Sequence, residues 1–462
     1  MERGDLTRRR AGACVGRAVG LGRQQCPMMT AAQADARAKE LDARDPLSPY
    51  RAEFCIPRVG DVTPTRRSDA GECVYLVGNS LGLMPKATRA AVVQELDDWA
   101  RLGVEGHFHA QHPWYPYHEE LRAGLAHVVG AQEKEVVAMN SLTTNLHLLM
   151  ASFYRPTRER FKIVIEDGAF PSDSYAVQSQ VEWHARHAGF DAGAGLVRLC
   201  PRAGESTLRT ADILETIDRE KDSIALLMLS GVNYLTGQRF DMEAITAFAR
   251  ARGIVVGWDL AHAAGNVELA LHDWGCDFAA WCHYKYLNSG PGAVAGAFVH
   301  ERHLGDATMP RLAGWWGNDP ATRFRMEPTF VPVARADAWA LSNPPVLALA
   351  PVRVSLGIFA RATMASLCAK SRALTEFADA LLRGVEGVKV VTPVEATARG
   401  CQFSLRFDRE ARGVHEALGA AGVVADFREP DVIRVAPVPL YNSFGDVARL
   451  ALVLRDVLGA MK

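Results

Sequence analysis

Three continuous apolar runs constrain the fold of this chain more than any other feature: Ile163-Val164-Ile165, Ile224-Ala225-Leu226-Leu227-Met228-Leu229 and Ile254-Val255-Val256, each bounded by polar residues or glycine. A strand with one face in water alternates apolar and polar residues, whereas a strand buried on both faces reads as an unbroken apolar run. The runs therefore predict central strands of a covered sheet. Helical spacing elsewhere, as over residues 87–101, and a strand-to-helix passage from Val136 through Ser141 to Met150 make that sheet mostly parallel with helices on its faces. After the break at Ser342-Asn343-Pro344-Pro345, residues 346–382 read as one long helical stretch leading into a smaller strand-and-helix unit. The expected fold class is α/β, a large domain with a mostly parallel sheet followed by a small α+β domain.

Composition removes several classes of function. Apolar residues make up 48% of the 462, charged residues 23%, and the net charge is −1, so nothing favours nucleic acid or an anionic membrane surface. No apolar run approaches the roughly 20 residues of a membrane helix, which leads to the expectation of a cytoplasmic protein. The nine cysteines are scattered without a C-x-x-C pair or zinc spacing, so free thiols and no metal site are expected. Residues 1–28 are rich in Arg, Gly and Ala, and they read as a disordered extension or an over-extended start.

The chemistry concentrates after the apolar runs. Asp259 follows one of them, at the carboxyl end of a strand, where open α/β sheets place their ligands. A carboxylate there needs a partner, and a protonated pyridine nitrogen is one. Lys285 follows the run Phe278-Ala279-Ala280-Trp281-Cys282 and precedes a glycine-rich turn. A partly desolvated lysine sheds its proton readily, which suits imine formation and base catalysis; taken alone the residue is better explained as a solvated loop lysine, and only its pairing with Asp259 reverses that reading. Asn140-Ser141-Leu142-Thr143-Thr144-Asn145 opens a helix, a place where backbone N–H groups and hydroxyls bind phosphate or simply cap the helix.

Taken together, these segments resemble kynureninase, within the aspartate-aminotransferase-like (fold type I) pyridoxal-phosphate enzymes. The resemblance rests on Gly78-Asn79-Ser80-Leu81-Gly82, residues 140–147, Phe170-Pro171-Ser172-Asp173, Tyr234-Leu235-Thr236-Gly237-Gln238, residues 259–292, Leu312-Ala313-Gly314-Trp315-Trp316-Gly317, Ser342-Asn343-Pro344-Pro345 and residues 434–442. It implies pyridoxal 5'-phosphate as cofactor and hydrolysis of L-kynurenine, or its 3-hydroxy form, to the anthranilate and L-alanine, a step of tryptophan catabolism. It implies that Lys285 carries the cofactor as a Schiff base, that Asp259 pairs with the ring nitrogen, that His262 lies beside it and that Phe170 stacks on it. Leu142, Thr143, Pro171, Ser172, Asp173, Ser230 and Tyr284 surround ring and phosphate in the same comparison. Catalytic roles fall to Lys285, Tyr284 and Asp259, with Tyr284 acting as a base only if its pKa falls. Arg434 would clamp the substrate carboxylate and His107 would face the aromatic part. Trp315 and Asn343 would reach the site across a dimer interface, Asn343 also contacting substrate, so a homodimer is implied. Domains follow as residues 29–80 packing with the small domain, 81–345 binding the cofactor, and 346–462 forming the small domain.

Two positions depart from the family pattern, Asn318 where histidine is common and Thr144 where an apolar residue is usual. A class V-type aminotransferase or a cysteine desulfurase shares the fold and the Lys and Asp roles. A desulfurase needs a nucleophilic cysteine on a mobile loop, whereas Cys276 and Cys282 sit in strand-like surroundings. A non-catalytic regulator on the same fold would carry a DNA-binding segment, for which the amino-terminal stretch is too short and unpatterned.

Overall fold

The computed structural model describes residues 29–62, 71–408 and 410–461; the amino-terminal extension read from the sequence lies outside the described residues. Among the described residues thirteen strands occur in chain order: β1 (Val74–Tyr75), β2 (Val136–Ala138), β3 (Lys162–Glu166), β4 (Leu196–Leu199), β5 (Ile224–Ser230), β6 (Val255–Asp259), β7 (Phe278–Trp281), β8 (Gly296–Val299), β9 (Val388–Val390), β10 (Phe403–Phe407), β11 (Val423–Val424), β12 (Asp426–Arg428) and β13 (Val432–Val435).

The large sheet runs β2-β8-β7-β6-β5-β3-β4 and is parallel except for β8, which is antiparallel to both neighbours. The three apolar runs are β3, β5 and β6 at its centre. Their side chains feed two apolar clusters on the two faces: Leu227, Leu229, Val256 and Trp258 join one, and Ile163, Ile165, Leu226 and Met228 the other. Burying each such aliphatic side chain contributes about 1.5–3 kcal/mol, which is why unbroken apolar sequence was needed here. From β3 the chain steps outward to β4, then returns to the other side of β3 as β5 and continues to β6 and β7. That reversal makes the carboxyl ends of β3 and β5 a topological switch point, where open α/β sheets hold ligands.

Past the large sheet, the structure corrects the single helix expected over residues 346–382. There are two helices, Val346–Ala362 and Met364–Leu382, bent by 77°. Thr363 sits between them at φ +59°, and its hydroxyl accepts the N–H of Ser366 as the cap of the second helix. The first helix packs on Ala87–Leu102 beside the large sheet, and the second on Phe444–Ala460. Apolar periodicity runs through both, so only the β-branched cap marks the break. A four-stranded antiparallel sheet, β12-β13-β10-β9, completes the small unit, and the helix Ala31–Ala43 packs on Phe444–Ala460 as well. Among the described residues, no single helix is long and apolar enough to cross a membrane, and the seven described cysteines are free.

Candidate active site

A cavity of about 320 Å³ opens at the carboxyl ends of β3, β5, β6 and β7. Asp259 ends β6 and is nearly buried, with Oδ1 accepting the N–H of Ala261 at 2.6 Å. Asp173, in the first turn of the helix Pro171–Ala188, is hydrogen-bonded to it. Burial first, then the charge of Asp259 and this hydrogen bond, raise the Asp173 carboxyl well above the usual range. Glu166, at the end of β3, accepts a hydrogen bond from the Ser230 hydroxyl, and burial raises it too. Two carboxyl groups, Asp173 and Asp259, thus line the cavity, with Glu166 behind the lining residue Ser230.

Lys285 lies on the turn after β7, and its Nζ is 3.0 Å from His262 Nε2. Burial, followed by the charges of Lys285, Arg434 and Arg428, keeps His262 neutral, its pKa well below the ordinary value. His262 Nδ1 has no partner among the described residues. The Phe170 ring, 40% exposed, lies 5.9 Å from Lys285 Nζ and meets Tyr234 edge-on at 5.2 Å. Burial, then Cys282, raises the Tyr284 phenol, the opposite direction from the fall a proton-accepting role would need. The turn is held from the amino-terminal segment, where Gly82 N–H donates to the Tyr284 carbonyl at 2.8 Å. A Cβ at Gly82 would come within 2.3 Å of the Lys285 carbonyl oxygen, so only glycine permits that approach.

Two helix starts face the same cavity. Neither Leu142–Phe153 nor Pro171–Ala188 has a side-chain cap, and Thr143 Oγ1 and Ser172 Oγ join them at 2.7 Å. Uncapped amino termini present free N–H groups and positive dipole ends, which suits a phosphate. Thr144 bonds its hydroxyl to that of Ser141 instead of packing in the core, which accounts for a polar residue there. An aromatic cation with a phosphate arm fits this donor set: phosphate on the helix starts, a ring nitrogen at Asp259, a carbonyl within reach of Lys285.

Most residues expected at the site line this cavity: Leu142, Thr143, Phe170, Ser172, Asp173, Ser230, Asp259, His262, Tyr284, Lys285 and Arg434. Pro171 lies in the first helical turn just behind Phe170. His107, Asn343 and Trp315 are not among the lining residues. His107 and Asn343 share a separate groove with Trp99 and Trp114, and Trp315 packs against Trp316 and Phe324. Asn318 accepts the N–H of Val331 at 2.8 Å, a loop-holding contact. Sequence reasoning missed the lining residue Arg428 and gave no role to Asn79, Ser80 or Tyr234. The latter three lay within quoted motifs, and Asp426-x-Arg428, two charges on one face of a strand, was a signal for the first.

The family model and the sequence relatives agree on one family. The family model described as "Kynureninase C-terminal domain" matches residues 367–454. The kynureninase of Myxococcus xanthus is 55% identical over 419 residues, 90% of this chain and 96% of that protein. This chain belongs to the kynureninase family. The Koribacter versatilis kynureninase is 54% identical over 89% of this chain and 95% of its own length. Membership makes the chain a pyridoxal-phosphate-dependent hydrolase, in keeping with the donor set above. At the level of fold this chain is also similar to a cysteine desulfurase from Escherichia coli, with TM-score 0.69 and 18% identity over 90% of this chain and 98% of that one. An apo cysteine desulfurase from Thermococcus onnurineus matches with TM-score 0.69 and 16% identity over 88% and 100%. That likeness concerns architecture. Cys276 and Cys282 are buried, and burial raises both thiols, the opposite of an activated nucleophile.

One cluster lies at the far end of the large sheet. Glu135, His272 and His300 bring potential ligand atoms within 4.8 Å of one another. The carboxylate already accepts backbone N–H groups from Gln132 and Glu301 and pairs with His272 Nδ1 at 3.0 Å. The two imidazoles stack at 18°, and the Nδ1 atoms of both approach Glu135 Oε1, at 3.0 and 3.8 Å. The hydrogen bond to Glu135 raises the His272 pKa. Its contribution is therefore fully present below the unfolded value of about 6.5 and is lost as pH rises through the higher folded value. The loss of urea stability on His272→Ala is accordingly expected to be larger at pH 6 than at pH 9; an equal loss at both would show that the pair adds nothing.

Proposed function

We propose that this chain hydrolyses L-kynurenine, and its 3-hydroxy form, to the corresponding anthranilate and L-alanine in the cytoplasm, as part of tryptophan catabolism. The carrying observation is the joint placement of Lys285, Asp259 and two uncapped helix starts in one cavity of a chain 55% identical to a kynureninase. Bound pyridoxal phosphate supplies an electron sink for the carbon α to the amino group. Asp259 would face the ring nitrogen and keep it protonated, Phe170 and His262 would bound the ring, and the helix starts at Leu142 and Pro171 would hold the phosphate. Lys285 Nζ is the amine placed to take the α proton. Neutral His262, 3.0 Å away, leaves that amine a lone-pair partner without adding charge. Tyr284 donates its phenolic hydrogen bond. Arg434 grips the substrate carboxylate through the two N–H groups its protein partners leave free.

Steady-state assays with both substrates test this directly. Fluorescent anthranilate and alanine should appear in equal amounts; cofactor-loaded enzyme that releases neither anthranilate nor its hydroxy form would overturn the reading. Transfer of the amino group to an oxo acid without anthranilate would favour the aminotransferase alternative.

The site is completed by a second copy of the chain. His107 and Asn343 sit in a groove whose surroundings, Trp99, Val104, Phe108 and Leu347, expose between 43% and 73% of their surface, an apolar patch that a homodimer covers. Through it His107, Trp315 and Asn343 enter the partner's cavity. Mixing Lys285→Ala subunits with Asn343→Ala subunits after dissociation should then restore roughly a quarter of wild-type activity, because half the dimers are mixed and each holds one intact site. No recovery on mixing would make each site self-contained.

A further inference from the structure

Arg434 is not alone in facing the place assigned to the substrate carboxylate. Strands β12 and β13 pair so that Asp426 lies directly opposite Arg434, and Arg428 opposite Val432. Side chains alternate along a strand, so Asp426, Arg428 and Arg434 project from one face. That face is turned to the loop carrying Tyr234, whose carbonyl accepts Arg434 Nη1 at 2.7 Å. A single oxygen, Asp426 Oδ2, accepts from Nε and Nη2 of Arg434 and, at 3.1 Å, from Nε of Arg428. Both arginines line the cavity.

Counting donors and charges shows what is missing. Arg434 has five N–H groups, of which three are taken, leaving one on each terminal nitrogen, the two-pronged edge that fits a carboxylate. Arg428 spends its Nε on Asp426, and its side chain is 34% exposed, so it stands at the mouth while Arg434, 1% exposed, stands inside. Two guanidinium groups share one carboxylate, which leaves one positive charge uncompensated. The charge of Arg428 is felt as deep as His262, whose pKa it helps to lower.

We infer that Arg428 is a second cation for the substrate carboxylate, and that Asp426 is the shared counter-ion aligning both guanidinium groups until the substrate brings the missing negative charge. This deepens the proposed function and rests on it for the placement of the carboxylate. The site then selects free amino acids over their amides more strongly than one arginine would achieve.

The test uses holoenzyme of the wild type, Arg428→Gln and Arg428→Lys, titrating the visible band of the bound cofactor with L-alanine and with L-alaninamide. A charge-assisted hydrogen bond of ordinary strength predicts that Arg428→Gln raises the half-saturating L-alanine concentration by about tenfold to a hundredfold. The response to L-alaninamide should stay within about twofold, and Arg428→Lys should recover most of the alanine affinity because the charge is kept. For L-kynurenine the effect should fall on KM more than on kcat. Equal weakening for both ligands, or weakening for neither, would overturn the inference. An intact alanine response with no turnover of either kynurenine would instead sink the proposed function and leave the role of Arg428 standing.

Discussion

Lys285→Ala is expected to lower kcat for L-kynurenine by about 10³-fold or more while cofactor still binds. Two losses combine. The variant has no amine to form the imine with the cofactor, and it has no group to move the α proton, a contribution of about 10²–10⁴-fold for a positioned acid–base side chain. Nothing nearby replaces it. His262, 3.0 Å from Nζ, is held neutral, but its ring is fixed in a buried site and cannot travel with the proton between two carbons. Tyr284 is a phenol whose proton burial holds more tightly. Single-turnover rates with added methylamine separate the two losses, since a small amine can exchange the imine without restoring a positioned base. Normal turnover in the variant would remove Lys285 from the mechanism.

Asp259→Asn should cost about 10²–10³-fold in kcat/KM, of the order found when a preorganised charge or dipole is removed at a reacting centre. The amide keeps a hydrogen bond to the N–H of Ala261, so local structure survives, but it cannot hold a protonated ring nitrogen. Asp173 complicates the outcome in a predictable direction. Part of its raised pKa comes from the Asp259 charge, so removing that charge lowers it and makes Asp173 a more available anion. The Asp173→Asn, Asp259→Asn pair should therefore lose more than the sum of the two single variants, expressed as free energies, because the two carboxyl groups stand in for one another. Additive losses would show that Asp173 acts independently. The pH profile of the cofactor band in each variant reads the same coupling without turnover.

How legible the molecule was varied with the range of the interaction. β5 and β6 were plain in the sequence because a strand buried on both faces requires an unbroken apolar run. The residues after those runs, Asp259 and Lys285, were legible for the same reason. The bend at Thr363 was not, since the helical period continues through it and a single threonine cap is a weak local mark. Arg434 was legible as a motif residue, but its tie to Asp426 and the company of Arg428 were not. Both depend on the register of β12 against β13, which no local pattern encodes. His107, Trp315 and Asn343 were named as site residues, yet within one chain none of them lines the cavity, which no local pattern could have foretold.

Sequence alone therefore determined that this chain builds a covered, mostly parallel sheet and places a lysine and an aspartate beyond its strand ends, since burial and strand termini leave marks within a few residues. Tertiary structure decided the chemistry of that lysine's surroundings. It set Lys285 against a His262 whose pKa burial lowers, brought Asp259 against an Asp173 carboxyl whose pKa burial raises, and raised the Tyr284 phenol. Charge states in a buried site depend on which groups are brought within a few ångströms in a low-dielectric interior, and that is settled only when distant strands and helix starts converge.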